Sequence, residues 1–193
     1  MTRTALVMSF SLALLLSNAP DADAGRVRGC SEAAQINLGE AKRFLENNMG
    51  TLKGAPIYFG KKRKRRRIHR KMDRRLKRIR WTCNPNRCAG DNWLNGNQSG
   101  LWRIRLCYEN MKSKNASFCD FVGTMAHEYG HAVGLPKAGN HNSRDPSRLQ
   151  DSTYKFGFWV RDLCKESGLD RELEGTDLKV ALFKKLLERS RNR

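Results

Sequence analysis

The sequence predicts an α+β chain, mostly helical, with a small antiparallel sheet beside one central helix and a set of disulfide staples. Three observations predict it. Apolar residues recur at helical spacing in several separate stretches, while one stretch alone, Leu101–Cys107, alternates as a half-buried strand does. Six cysteines follow an export-type leader. The uncharged stretch Phe121–Ala126 runs into His127-Glu128-Tyr129-Gly130-His131 and makes that word part of a buried helix.

The leader comes first. Arg3 and the amino terminus give a positive start, Ala5 to Leu16 is apolar, and Ala22-Asp23-Ala24 is a small-residue cleavage site before Gly25. Residues 1–24 are therefore read as a signal peptide and residues 25–193 as one domain. The expected location is secreted and extracellular, or periplasmic in a Gram-negative cell. No later apolar run is long enough to span a bilayer. Cys30, Cys83, Cys88, Cys107, Cys119 and Cys164 are an even set in an exported chain, which reads as three disulfides. Cys83 and Cys88 are too widely spaced for a C-x-x-C zinc knuckle, and no second pair follows. Six cysteines admit fifteen pairings, and their spacing does not choose among them.

Residues 31–49 read as a helix with Ala33, Ile36, Leu38, Ala41, Phe44 and Leu45 on its apolar face, ended by Gly50. Pro56–Gly60 is a short extended piece or turn. Residues 61–80 hold fourteen Lys or Arg in twenty positions. Within that run Ile68, Met72, Leu76 and Ile79 form one helical stripe, so a core-docked helix over about 66–80 is expected, with arginines in solvent. Residues 82–100 are rich in Asn, Gly and Pro and read as loop. In Leu101–Cys107, Trp102, Ile104 and Leu106 are expected on one side and Arg103 and Arg105 on the other. Residues 109–118 read as a polar connection. Asp120 is expected to cap the central helix, and Gly134 with Pro136 to end it. A loop over 137–153 precedes an aromatic-rich helix from Tyr154 to Cys164. A last amphipathic helix is expected over 176–191, with Leu178, Ala181, Leu182, Leu186 and Leu187 on one face.

The formal net charge is +19. Such a surface attracts polyanions and anionic surfaces, and residues 61–80 are the part that would meet them. A nuclear import signal is excluded by the leader. No aromatic is interleaved in the run, as base stacking would require.

Chemistry concentrates in the H-E-x-x-H word. Residues four apart share a helix face, so His127 and His131 can hold one Zn²⁺ ion, and Glu128 is placed to serve as general base. A catalytic zinc needs a third protein ligand. Gly134 fits the common extension H-E-x-x-H-x-x-G-x-x-H, but Lys137 stands at its last position and cannot ligate. Asp151, Asp145 and His141 are the downstream candidates. Asp151 also suits a helix N-cap, and Tyr154 suits core packing beside Phe156, Phe158 and Trp159.

These residues resemble those of the aspzincins, the deuterolysin and lysine-specific metallo-endopeptidase group. There the H-E-x-x-H word is followed by G-T-x-D-x-x-Y-G. Asp151-Ser152-Thr153-Tyr154 keeps D-x-x-Y, and Gly157 follows two residues later. The upstream Gly-Thr is absent, with Leu149 in the Thr position. Tyr58-Phe59-Gly60 between two helices and the strand ending in Cys107 add to a likeness covering most of residues 31–164. The resemblance implies a zincin-like fold and one catalytic Zn²⁺ on His127, His131 and Asp151. It also implies Glu128 as general base and Tyr154 as stabiliser of the transition state. It implies pairings Cys30–Cys83 and Cys88–Cys107, which leave Cys119 for Cys164.

The function expected is a secreted zinc metallo-endopeptidase, a monomer acting on protein or peptide substrates. Cleavage before lysine is not carried across, because no acidic cluster is available to read the ammonium. The alternatives are a cationic polyanion-binding protein on an inactive zincin fold, and a zinc amidase acting on cell-wall peptides.

Overall fold

The computed structural model describes residues 29–83, 88, 96–98, 102–136 and 151–173. The leader, the expected helix at 176–191, and Lys137, His141 and Asp145 lie outside the described residues.

Ser31 starts helix α1 (Glu32–Asn47) by accepting a bond from the Ala34 amide, and Glu32 complements the helix dipole. Ala34, Leu38, Ala41, Phe44 and Leu45 are buried. The helix ends at Asn48, before the expected Gly50, because the Asn48 side chain donates to the Phe44 carbonyl at 2.9 Å. A short helix α2 (Met49–Lys53) follows. Asn37, also fully buried, has its amide satisfied by the Tyr108 hydroxyl at 2.6 Å.

Helix α3 (Lys62–Leu76) is the basic run, beginning and ending four residues earlier than expected. Ile68, Met72 and Leu76 are buried as the stripe requires, and Ile79 is buried in the turn beyond. The chain cannot stay helical there because Arg80 already belongs to strand β1 (Arg80–Cys83).

The sheet differs from the antiparallel one expected. It is three-stranded, in the order β1, β3 (Arg103–Leu106), β2 (Gly96–Gln98). β1 runs parallel to β3, and β2 runs antiparallel to it. Parallel neighbours need a crossover between them, and β2 lies between β1 and β3 along the chain. β1 and β2 are short, three or four residues each, and carry too few alternations to stand out from loop. Ile104 and Leu106 are buried as expected, but Trp102 is 44% exposed and precedes the strand.

The connection after β3 contains helix α4 (Tyr108–Ser113), which Tyr108 and Met111 anchor in the core. The central helix α5 (Phe118–Val133) begins three residues earlier than expected. Ser117 is its N-cap, and Asp120 closes a capping box by accepting from the Ser117 amide. Gly134, left-handed at φ 85°, ends it. Helix α6 (Ser152–Glu166) then packs along α5. β2 and β3 adjoin α5 on another side, and α3 lies against it as well.

Three disulfides tie these pieces: Cys30–Cys83, Cys88–Cys107 and Cys119–Cys164. They close loops of 53, 19 and 45 residues. By chain entropy each would stabilise by about 3–4 kcal/mol. The last one joins α5 to α6. No helix among the described residues is long and apolar enough to cross a membrane.

The α5–α6 contact has no room for a side chain at its centre. A Cβ on Gly157 would lie 2.9 Å from the Gly123 carbonyl oxygen and 3.0 Å from the His127 Cβ. Gly157→Ala should therefore destabilise the protein by about 1–3 kcal/mol. Gly39, in the middle of α1, meets nothing within 4 Å. Gly39→Ala should stabilise by about 0.5–1 kcal/mol. Urea unfolding of both variants checks the pair; equal effects would show that the helix crossing is not tight.

Candidate metal centre

α5 carries the word on a helix whose other faces are engaged. Phe121, Val122, Met125 and Ala126 are buried in the core. His127 and His131 are half-buried on one face, with their rings perpendicular and 4.8 Å apart. Their Nε2 atoms are 3.2 Å from each other. Two nitrogens bound to one tetrahedral zinc at ordinary bond lengths stand roughly 3.3 Å apart. The histidine pair thus has a spacing that suits a shared ion, and without one lets one imidazole donate a hydrogen bond to the other. Glu128 is 6% exposed, and its Oε1 lies 4.0 Å from the His127 Nε2. A buried carboxylate beside two imidazoles gains from a cation between them.

The two middle residues of the word, which sequence reasoning left without a role, turn out to position it. Tyr129 is fully buried, and its hydroxyl donates to the Met72 carbonyl of α3. Burial, reinforced by the charge of Asp73, pushes its pKa far up, so it stays a neutral donor. Gly130 leaves space for α6: a Cβ there would meet the Leu135 side chain at 2.9 Å and the Thr153 methyl at 3.4 Å. The signal was present in both cases, as a large amphipathic residue and a glycine inside a helix.

α6 brings the D-x-x-Y residues to the neighbourhood. Asp151 is fully buried and is the N-cap of α6. Its Oδ1 accepts from the Thr153 amide at 2.7 Å and the Thr153 hydroxyl at 2.5 Å. Both bonds fall on one carboxylate oxygen. Ser152 donates to the Tyr58 carbonyl at 2.9 Å, fastening this turn to the Tyr58-Phe59-Gly60 segment. One turn after Asp151, the ring of Tyr154 lies 4.4 Å from the ring of His127. Phe158 continues the row at 6.2 Å from Tyr154 and is 40% exposed.

Of the five residues singled out from sequence, His127, Glu128, His131 and Tyr154 come together. Asp151 stands at the head of the same helix as Tyr154, in a cap. Among the described residues no group of three or more His, Cys, Asp or Glu is gathered to hold a metal ion. Asp151 is therefore not drawn into one with the two histidines, and His141 and Asp145 lie outside the described residues. No family model, curated protein or solved structure matches the chain.

The cap and a ligand role for Asp151 separate by substitution. Asp151→Ser keeps a capping oxygen, whereas Asp151→Ala removes it at a cost of about 1 kcal/mol. If Asp151 serves only as a cap, the Ser variant binds zinc like the parent. If it ligates, both variants lose zinc affinity, and only the Ala variant loses stability in the metal-free protein. Zinc titration and unfolding of the two variants are the measurements.

Proposed function

We propose that the protein is a zinc-dependent metallo-endopeptidase with an aspzincin-type site on a zincin-like fold, acting outside the cell. The observation that carries this reading is the 3.2 Å separation of the His127 and His131 Nε2 atoms, with Glu128 buried beside them. His127 and His131 would hold the ion as neutral imidazoles; the resemblance names Asp151, which caps the neighbouring helix and is not gathered with them here, as the third, anionic ligand. Tyr154 against the His127 ring supports an aspzincin-type arrangement, because D-x-x-Y on one helical turn places both residues at the same end of α6.

When bound, zinc supplies a Lewis acid and makes adjacent water more acidic. The chain's own residues do the rest. Glu128 takes the proton of the attacking water and passes it to the departing amine. Its burial keeps competing solvent away from that carboxylate. Tyr154 donates a hydrogen bond to the oxyanion that develops on the scissile carbonyl. Its packing on His127 holds the ring in place for that task. Phe158, exposed beyond Tyr154, offers an apolar surface to a substrate side chain.

Casein hydrolysis, zinc content and chelation test the reading together. Glu128→Gln should retain zinc and lose activity by about 10²–10⁴-fold. Tyr154→Phe should lower kcat by about 10²-fold with little change in zinc content. Hydrolysis that survives both a chelator and Glu128→Gln would exclude this site as its source.

A further inference from the structure

We propose that α3 and the adjoining β1–β3 edge form a docking surface for a sulfated acidic polysaccharide. The surface is separate in its residues from the site on α5 and does not rest on the peptidase reading.

Helix α3 holds ten lysines and arginines and one acid, Asp73. Asp73 is already used: its carboxylate pairs with Lys53 of α2 at 2.5 Å. Like charges four residues apart oppose a helix, as do cations at its N-terminus. Arg66, Arg70 and Arg74 form such a row, all exposed, spaced by about 6 Å per step. Lys62, Arg63 and Lys64 occupy the first turn, and Lys61 at the N-cap makes no side-chain capping bond. Lys71 senses the crowding: its pKa is lowered by burial and then by Arg75, Arg67 and Lys64.

The repulsion continues onto the sheet. Arg80 of β1 is paired in register with Arg103 of β3, and both are exposed. Like charges directly opposite on neighbouring strands are destabilising. The Arg80 amide donates to the Trp102 carbonyl at 2.9 Å, which joins the exit of α3 to the start of β3. The Arg75 guanidinium lies 5.1 Å from the centre of the Trp102 ring. Tertiary structure has thus set one exposed ring into a basic surface that has no exposed aromatic in its own sequence run.

A polymeric anion would relieve these repulsions together. Arginine outnumbers lysine along the run, and its planar fork matches the oxygens of sulfate, carboxylate or phosphate. Two features select the polysaccharide. The three disulfides belong to an oxidising compartment, where acidic glycans are met in polymeric form. A nucleic-acid strand is tracked by successive exposed rings. Among the described residues Trp102 is the one exposed ring stacked with an arginine of this run, since Phe59, the other ring so stacked, is buried. The Trp102 ring, with Arg75 against it, is enough to cover the face of one sugar.

The test uses the full chain with heparin, an oligo(dT) of matched charge, and phosphatidylserine vesicles as probes. Heparin should bind most tightly, with affinity falling steeply as salt rises. Replacing Arg66, Arg70 and Arg74 together by Gln should weaken heparin binding roughly tenfold or more and flatten its salt dependence. Trp102→Ala should weaken it several-fold while leaving the salt dependence in place. Heparin should also raise the unfolding temperature of the parent more than that of the triple variant. Unchanged heparin affinity in the triple variant would remove α3 from the interface. Binding of oligo(dT) or vesicles as tight as that of heparin would overturn the choice of polysaccharide.

Discussion

The near-backbone contact between α5 and α6 is the constraint on which the rest of the site depends. Gly123 and Gly157 face each other with no space for a methyl group, and the same close approach sets Gly157 against the His127 Cβ. Helices this close transmit position accurately, because neither has a long side chain that could yield. Thr153 and Phe156 fill the ground over Gly130, and Cys119–Cys164 ties the two helices covalently. The Tyr154 ring on His127 is a consequence of this register.

α5 is held from its other sides by interactions of different kinds. The buried Tyr129 fixes it to the backbone of α3 by a hydrogen bond, which is directional where apolar packing is not. At its start, the Phe118 amide donates to the Arg171 carbonyl at 2.7 Å, and the Arg171 guanidinium lies over the Phe118 ring. The same guanidinium reaches Asn37 at 3.0 Å and Glu40 on α1. A helix fixed on several sides presents its two imidazoles with little freedom to relax. The strongly basic α3 is therefore both a partner of α5, through Met72, and the carrier of an outward charged face. Its inner stripe and its outer charges are separate features of one element.

Much of this was legible in the residues. The stripe Ile68, Met72, Leu76 and Ile79 foretold a docked helix inside a charge run, and all four are buried. Periodicity works there because a single amphipathic helix satisfies the pattern by itself. The pairing of six cysteines was legible only through resemblance to a family, since spacing alone does not choose it. β1 and β2 were not legible, because strands of three or four residues exist only through the neighbour they pair with. The direction of β1 against β3 was missed for the same reason. Trp102 was misplaced because alternation was extended one residue beyond the strand, into a turn where the period no longer applies. α4 was missed because one turn and a half of helix has too few apolar positions to show a period.

The sequence by itself determined that two imidazoles and a carboxylate share one buried helix, because residues four apart on a helix meet whatever surrounds them. It also determined the overall charge and where that charge is densest. Only the tertiary structure decided that Tyr154 lies on His127 and that Trp102 stands among the arginines. Those relations join residues distant along the chain. They arise from how closely glycine lets two helices approach, and from which strand the chain finds on its return, neither of which a local pattern encodes.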